Sequence, residues 1–247
     1  MFRKDGSFRP SSGLIMKNST KKILQFPLIL LLVLAVFFSA CKKQTTDDTI
    51  AYMRVTNASP SLATYNVLVN GSTITSAALP YAGGTSYSSR TYGDYSISFT
   101  PASSLVPLYT STVNLAVSTY TSFYLVNKPG SLDKLTLTDD LSVPATDKAY
   151  VRFINLSPDA PAMDVIKSDG TANLFSNRTY KTSSAFIQVD AGSYTLNAKE
   201  TSTGTVKATL TAYTFTAGYH YDVIYGGMVT PASDSERAVN LQAILIK

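Results

Sequence analysis

The decapeptide Ala51-Tyr-Met-Arg-Val-Thr-Asn-Ala-Ser-Pro60 returns 98 residues later as Ala149-Tyr-Val-Arg-Phe-Ile-Asn-Leu-Ser-Pro158, with six of ten positions identical. The match continues with Asn66-Val67 against Asp164-Val165, Gly71 against Gly170, Gly93-Asp-Tyr95 against Gly192-Ser-Tyr194, and Tyr120 against Tyr219. Separated blocks at one nearly constant offset mean two copies of one unit, each long enough for a core of its own. Whatever the chain folds into, it must do so twice.

Each copy reads as all-β. Tyr65-Asn-Val-Leu-Val69, Asp94-Tyr-Ser-Ile-Ser-Phe99 and Ser193-Tyr-Thr-Leu-Asn-Ala198 alternate apolar with polar residues at period two, in the composition of half-buried strands. Asn70-Gly71, Gly83-Gly84, Pro129-Gly130, Asp169-Gly170 and Gly226-Gly227 punctuate them as turns. In the second copy strands are expected near 149–155, 163–167, 184–189, 193–199, 206–215, 219–225 and 238–246. That pattern predicts two tandem β-sandwich domains, immunoglobulin-like or transthyretin-like, at 50–141 and 149–247, joined by a linker over 142–148. The Cys…Trp…Cys hallmark of antibody domains is absent, so only the architecture is expected.

Ahead of the repeats, Phe26 to Cys41 is an apolar run closed by Ser39-Ala40 and the only cysteine of the chain, led by Lys17, Lys21 and Lys22. Those are the parts of a secretory signal, and the run is short for a bilayer span, which takes about 20 residues. Ending on cysteine, it resembles the lipobox of bacterial lipoproteins. That resemblance implies cleavage before Cys41, a diacylglycerol on its sulfur and an acylated amine. The expected division is a signal peptide over 1–40, with Met16 a credible true start, and a lipidated tether over 41–49. The intact chain carries net charge +5, but residues 1–40 hold six basic residues and one acid, so the remainder is near neutral. No basic stripe survives processing, which argues against a nucleic-acid partner. A lone cysteine reserved for lipid also leaves no internal disulfide.

The stretch Arg152 to Val165, RFINLSPDAPAMDV, with LTDDLSVPATDKAYVRF leading into it, resembles the repeat of domain of unknown function 4397. That family implies tandem β-domains in exported bacterial proteins, many of them lipoproteins, and no established activity. The first copy departs from it at Ser59-Pro-Ser-Leu-Ala63, where the second has Ser157-Pro-Asp-Ala-Pro161.

Chemistry-bearing residues are few. Asp159 is expected to bond backbone amides two residues on, with Pro158 ending a strand. Asp159, Asp164 and Asp169, five residues apart, do not supply the closely wound oxygens that calcium takes, so no metal or cofactor is expected. His220 is the only histidine; period two sets it beside Asp222 on one face, read as a solvent-facing pair. No G-x-S-x-G elbow, Walker loop, G-x-G-x-x-G or H-E-x-x-H is present, and no catalytic residue is expected. All 16 tyrosines follow residue 50, and Tyr81, Tyr87, Tyr92 and Tyr109 fall at or near expected loops or strand ends of the first copy, where an apolar ring with a polar tip suits recognition. The leading expectation is a non-catalytic outer-membrane lipoprotein, anchored through Cys41 and surface exposed, whose loops meet an unknown protein or glycan. Lys42 in place of an inner-membrane retention aspartate, and Asp47-Asp48 nearby, agree with that location. The alternative is a polysaccharide-binding accessory protein of a nutrient-uptake system, and a hydrolase is the third reading.

Overall fold

The computed structural model describes residues 49–247; the expected signal peptide, Cys41 and the tether up to residue 48 lie outside the described residues. Every regular element in it is a strand. The first half contains β1 (Ile50–Asn57), β2 (Tyr65–Val69), β3 (Ser72–Thr73), β4 (Ser88–Thr91), β5 (Gly93–Pro101), β6 (Tyr109–Leu115), β7 (Tyr120–Val126) and β8 (Asp133–Asp139). They form two four-stranded sheets, ordered β4-β1-β7-β8 and β3-β2-β5-β6. The β2–β3 hairpin turns through Asn70 and Gly71 at φ 48° and 80°. Positive φ at both central residues is the two-residue turn whose twist matches the strands, and Asn-Gly is its preferred pair.

The second half contains β9 (Lys148–Asn155), β10 (Met163–Lys167), β11 (Asn173–Arg178), β12 (Thr182–Ser183), β13 (Ile187–Asp190), β14 (Gly192–Glu200), β15 (Val206–Phe215), β16 (His220–Gly226) and β17 (Asn240–Leu245). Its sheets run β12-β9-β16-β17, with β13 also on β9, and β11-β10-β14-β15. The two halves therefore share one plan. In both, the opening strand lies parallel to the last strand but one of its half (β1 with β7, β9 with β16), and all other strand pairings are antiparallel. β11 and β12 are additions to the expected strands. Their sequence hides them: β11 carries only Leu174 and Phe175 as apolar residues, and its pairing with β10 shifts register where Asn177 turns to φ 55°.

Three apolar layers hold the body together. Met53, Val55, Val67, Ile97, Phe99, Phe123 and Leu125 fill the first sandwich. Val151, Phe153, Met163, Val165, Leu196, Phe215, Val223 and Tyr225 fill the second. The third layer, with Tyr124, Val126, Ile154, Leu156 and Ile224, lies between the β1–β7 face and the β9–β16 face. The four sheets thus stack side by side, and the central strands of the two inner sheets are buried on both faces. Each CH₂ removed from water there contributes about 0.8 kcal/mol, so the seam is a stabilising core in its own right.

The two sandwiches point the same way. Tyr120 at the start of β7 lies under Lys247 beyond β17, while the loop after β16 meets the loop after β1. One end of the body, the proximal end, carries Thr49, whose carbonyl accepts the amide of Tyr92. The distal end gathers the loops that follow β1, β5, β7, β9 and β16. Along the nine residues of β5 the two ends are about 26 Å apart.

Candidate functional site

The seam is built from matched ring sets. In the first half Tyr52 and Tyr120 pair across β1 and β7 and stack at 4.5 Å between centroids, 10° from parallel. In the second half Tyr150 and His220 occupy the same places on β9 and β16 and stack at 4.6 Å and 16°. An edge-on ring closes each set: Tyr87 against Tyr120 at 5.1 Å, Phe186 against His220 at 5.0 Å. His220 therefore stands where Tyr120 stands, and Asp222 where Ser122 stands, one residue further along than the repeat alignment places them. The expectation of a solvent-facing histidine is overturned. His220 is 1% exposed because its face of β16 is pressed against the other sandwich. Burial pushes its imidazole below the usual histidine range, with Lys247 and Arg152 adding to the shift against the opposing influence of Ser142 and Asp140. Asp222 shares its face, as expected, but its carboxylate is taken by other partners.

One layer deeper lie two arginines and two aspartates. Arg152 Nε donates to Asp222 Oδ1 at 2.6 Å, and its Nη1 pairs with Asp139 Oδ1 of β8 at 2.5 Å. The Tyr124 hydroxyl donates to Asp222 Oδ2, and Arg152 Nη2 donates to the Tyr124 oxygen at 3.3 Å. Asp139 also accepts from Tyr87 at 2.6 Å and from Ser122 at 2.7 Å. Burial alone would lower the Arg152 guanidinium, but Asp222, Tyr124 and Asp139 together raise it above its ordinary value. Burial and the neighbouring carboxylates push the phenols of Tyr87 and Tyr124 above their ordinary range, so both remain donors. Charges this deep are costly unless fully paired, and Arg152 satisfies that condition.

At the distal end the geometry of Asp159 differs from the expected local turn. Its two oxygens accept the amides of Val229 and Thr230, 2.9 Å each, some 70 residues away. This pins the 227–239 loop, which then runs across the first sandwich: Leu62 donates to Ser235 O at 2.9 Å, Arg237 to Pro60 O at 3.1 Å, and Lys128 pairs with Glu236 at 3.0 Å. Gly227 enables the entry to this loop, since a Cβ there, at φ 98°, would sit 2.3 Å from the carbonyl oxygen of Ala238. Asp164 is engaged separately. Burial would raise its carboxyl, but bonds from the Asn177 amide, Thr201 and Asn173 outweigh that and hold it low. Among the described residues no group of three His, Cys, Asp or Glu is placed to hold a metal ion.

The four tyrosines singled out in the sequence separate, with Tyr109 at the start of β6 half-buried against Phe99. Tyr81 donates to Asn240 Oδ1 at 3.3 Å under the guanidinium of Arg237, and Tyr87 points into the seam. Tyr92 is exposed, but at the proximal end beside Thr49. The residues that do stand out at the distal end are apolar and were not anticipated. Leu105 is 87% exposed and Val106 70%, with Leu108 and Leu62 each more than half exposed. Leu105, Val106 and Leu108 ride on the loop between β5 and β6, and Ala102, donating to Thr64 O at 3.3 Å, ties it to the β1–β2 loop that carries Leu62. The same hairpin of the second half is the short polar turn Thr201-Ser-Thr-Gly-Thr205. Comparing the two hairpins within the sequence would have exposed Ser104-Leu-Val-Pro-Leu108 as the odd one out.

A family model described as "Domain of unknown function (DUF4397)" matches residues 51–166, which take in the first sandwich and run to β10. No curated protein matches the sequence. Among solved structures, the Bacillus anthracis TIE protein is similar at 12% identity and a TM-score of 0.25 over 73% of this chain; the chain spans about a third (34%) of that protein's length. The carbohydrate-binding module CBMbc (family CBM26) of Eubacterium rectale Amy13K, solved with maltoheptaose, is similar at 10% identity and a TM-score of 0.25, over 79% of this chain and 96% of the module.

Proposed function

We propose that this protein is a non-catalytic lipoprotein of the cell envelope, anchored through Cys41 to the outer membrane and exposed at the cell surface, that binds a partner with its distal loop end. The observation that carries the reading is the apolar tip Leu105-Val106-Pro107-Leu108, unshielded at the end of the first sandwich opposite Thr49. Single exposed apolar residues are ordinary, but four exposed apolar residues in a row on one loop mark a contact surface. That surface lies at the end of the described body opposite Thr49. The seam adds rigidity, so the tip is presented by one body and not by two beads on a string. The hydrolytic reading built on His220 has less support, because its ring is held between Tyr150 and Phe186 and Asp222 is bonded to Arg152 and Tyr124. The polysaccharide-binding alternative would use Tyr81, Tyr87, Tyr92 and Tyr109; of these Tyr92 is exposed at the proximal end, and Tyr109, at the start of β6, is half-buried against Phe99.

Two measurements test this. A tag after Lys247 cleaved by protease on intact cells supports surface exposure, whereas protection until lysis contradicts it. A photo-crosslinking residue at position 105 should yield a defined adduct in cells that the same residue at position 92 does not; equal labelling, or none, overturns the distal tip as the binding surface.

A further inference from the structure

The seam holds two related clefts, and their difference points to a ligand. Over Arg152 lies a cleft lined by Ser183, Ser184, Phe186, Thr138 and Asp140. Over Arg54 lies its counterpart, lined by Gly84, Thr85, Ser86 and Ile244 to Ile246. The frames match bond for bond. Val55 N donates to Thr85 Oγ1 at 3.0 Å as Phe153 N donates to Ser184 Oγ at 2.9 Å. Thr85 N donates to Val55 O, and Ser184 N to Phe153 O, at 2.9 Å each.

What differs is the acid. Asp139, opposite Tyr120 on β8, gives Arg152 a carboxylate at 2.5 Å. The residue opposite His220 in the second half is Ile246, whose amide bonds the His220 carbonyl at 2.9 Å. The other carboxylate of Arg152, Asp222, has Ser122 as its counterpart beside Arg54. Arg54 thus has neither acid in place. Its Nη2 donates to Thr56 Oγ1 at 2.7 Å, and its Nη1 only approaches Asp222 at 3.5 Å, a carboxylate already bonded to Arg152. Among the described residues Arg54 Nε has no hydrogen-bond partner, although the residue is 2% exposed. Tyr124, Asp222, Tyr87 and Asp139 favour the Arg54 charge against its burial, but its Nε and Nη1 hydrogen bonds stay unmade, and a carboxylate is the group that best matches them.

We infer that the Arg54 cleft binds a small monocarboxylate with a short aliphatic body. The carboxylate would meet Arg54, with the Thr85 hydroxyl as a second donor since its oxygen already accepts from Val55. The body would lie on Ile244, Leu245 and Ile246. The cleft measures about 160 Å³ and opens to solvent, room for a ligand of a few heavy atoms. This surface is separate from the distal tip, so either reading can fail without the other.

Butyrate is the probe, and butanamide its neutral twin, titrated into the intact chain by calorimetry while the Arg54 ¹⁵Nε resonance is followed. Butyrate should bind at least tenfold more tightly than butanamide and move that resonance. Ile246→Asp recreates on Arg54 the contact Arg152 receives from Asp139; it should abolish butyrate binding and raise the melting temperature. Arg54→Gln should also abolish binding. Equal affinity for the two probes, no binding of either, or butyrate binding retained in Ile246→Asp would overturn the assignment.

Discussion

The imidazole of His220 lies flat on the phenol ring of Tyr150, 4.6 Å between centroids, in the place where the first half stacks two tyrosines. A titratable ring has replaced a neutral one at a buried position of the seam, and the replacement makes the fold sensitive to acid. The unfolded chain protonates this imidazole near its ordinary value of about 6.5, while the folded chain does so only at lower pH. This contribution to stability is therefore complete above that pH and declines as pH falls below it.

His220→Tyr, copying Tyr120, should flatten that decline. Melting temperatures of the two proteins, followed from pH 7.5 downward, should diverge in the variant's favour below about pH 6.5. An identical slope in both would mean that the carboxylates alone govern acid sensitivity.

Asp139 is the linchpin of the charge cluster, since it joins Arg152, Tyr87 and Ser122. Removing one partner of a buried pair strands the other. Asp139→Ala should therefore cost about 3 kcal/mol in urea-induced unfolding, at the lower end for such pairs because Arg152 keeps Asp222. A loss below about 1 kcal/mol would show the cluster to be solvated.

The repeat, the β class and most strand positions were legible in the sequence because period two and turn pairs are local signals. The seam was not. Arg54 and Arg152 alternate with apolar neighbours in their strands, as solvent-facing residues of half-buried strands do, yet both are buried. Period two tells which residues share a face; it does not tell what covers that face. His220 and Asp222 were placed on one face correctly and exposed wrongly for the same reason. Asp159 hides its partners equally well, because amides at 229 and 230 leave no trace in the residues around it.

With an apolar layer and an ion cluster between them, the two sandwiches should melt together. Calorimetry should give one transition whose calorimetric and van't Hoff enthalpies agree. Two resolved transitions would show the seam to be weaker than either core.

Asp159→Ala should release the 227–239 loop without unfolding the body. Proteolysis within 229–236 is expected to quicken at least tenfold, with a stability loss of no more than about 2 kcal/mol for two charge-assisted bonds. Unchanged proteolysis would mean that Lys128–Glu236 and the Pro60 and Leu62 contacts hold the loop unaided.

β1 follows directly from Thr49 and runs in the middle of its sheet, with β4 on one side and six parallel register pairs to β7 on the other. A tension applied at Thr49 and resisted at the distal loops therefore acts along the strand, across its ladder bonds. Bonds loaded that way share the force and must yield together, whereas a hairpin pulled at its open end unzips one rung at a time. Pulling between Thr49 and the distal end should rupture the body in a single high-force event, so the strand that opens the repeat also serves as its mechanical clamp.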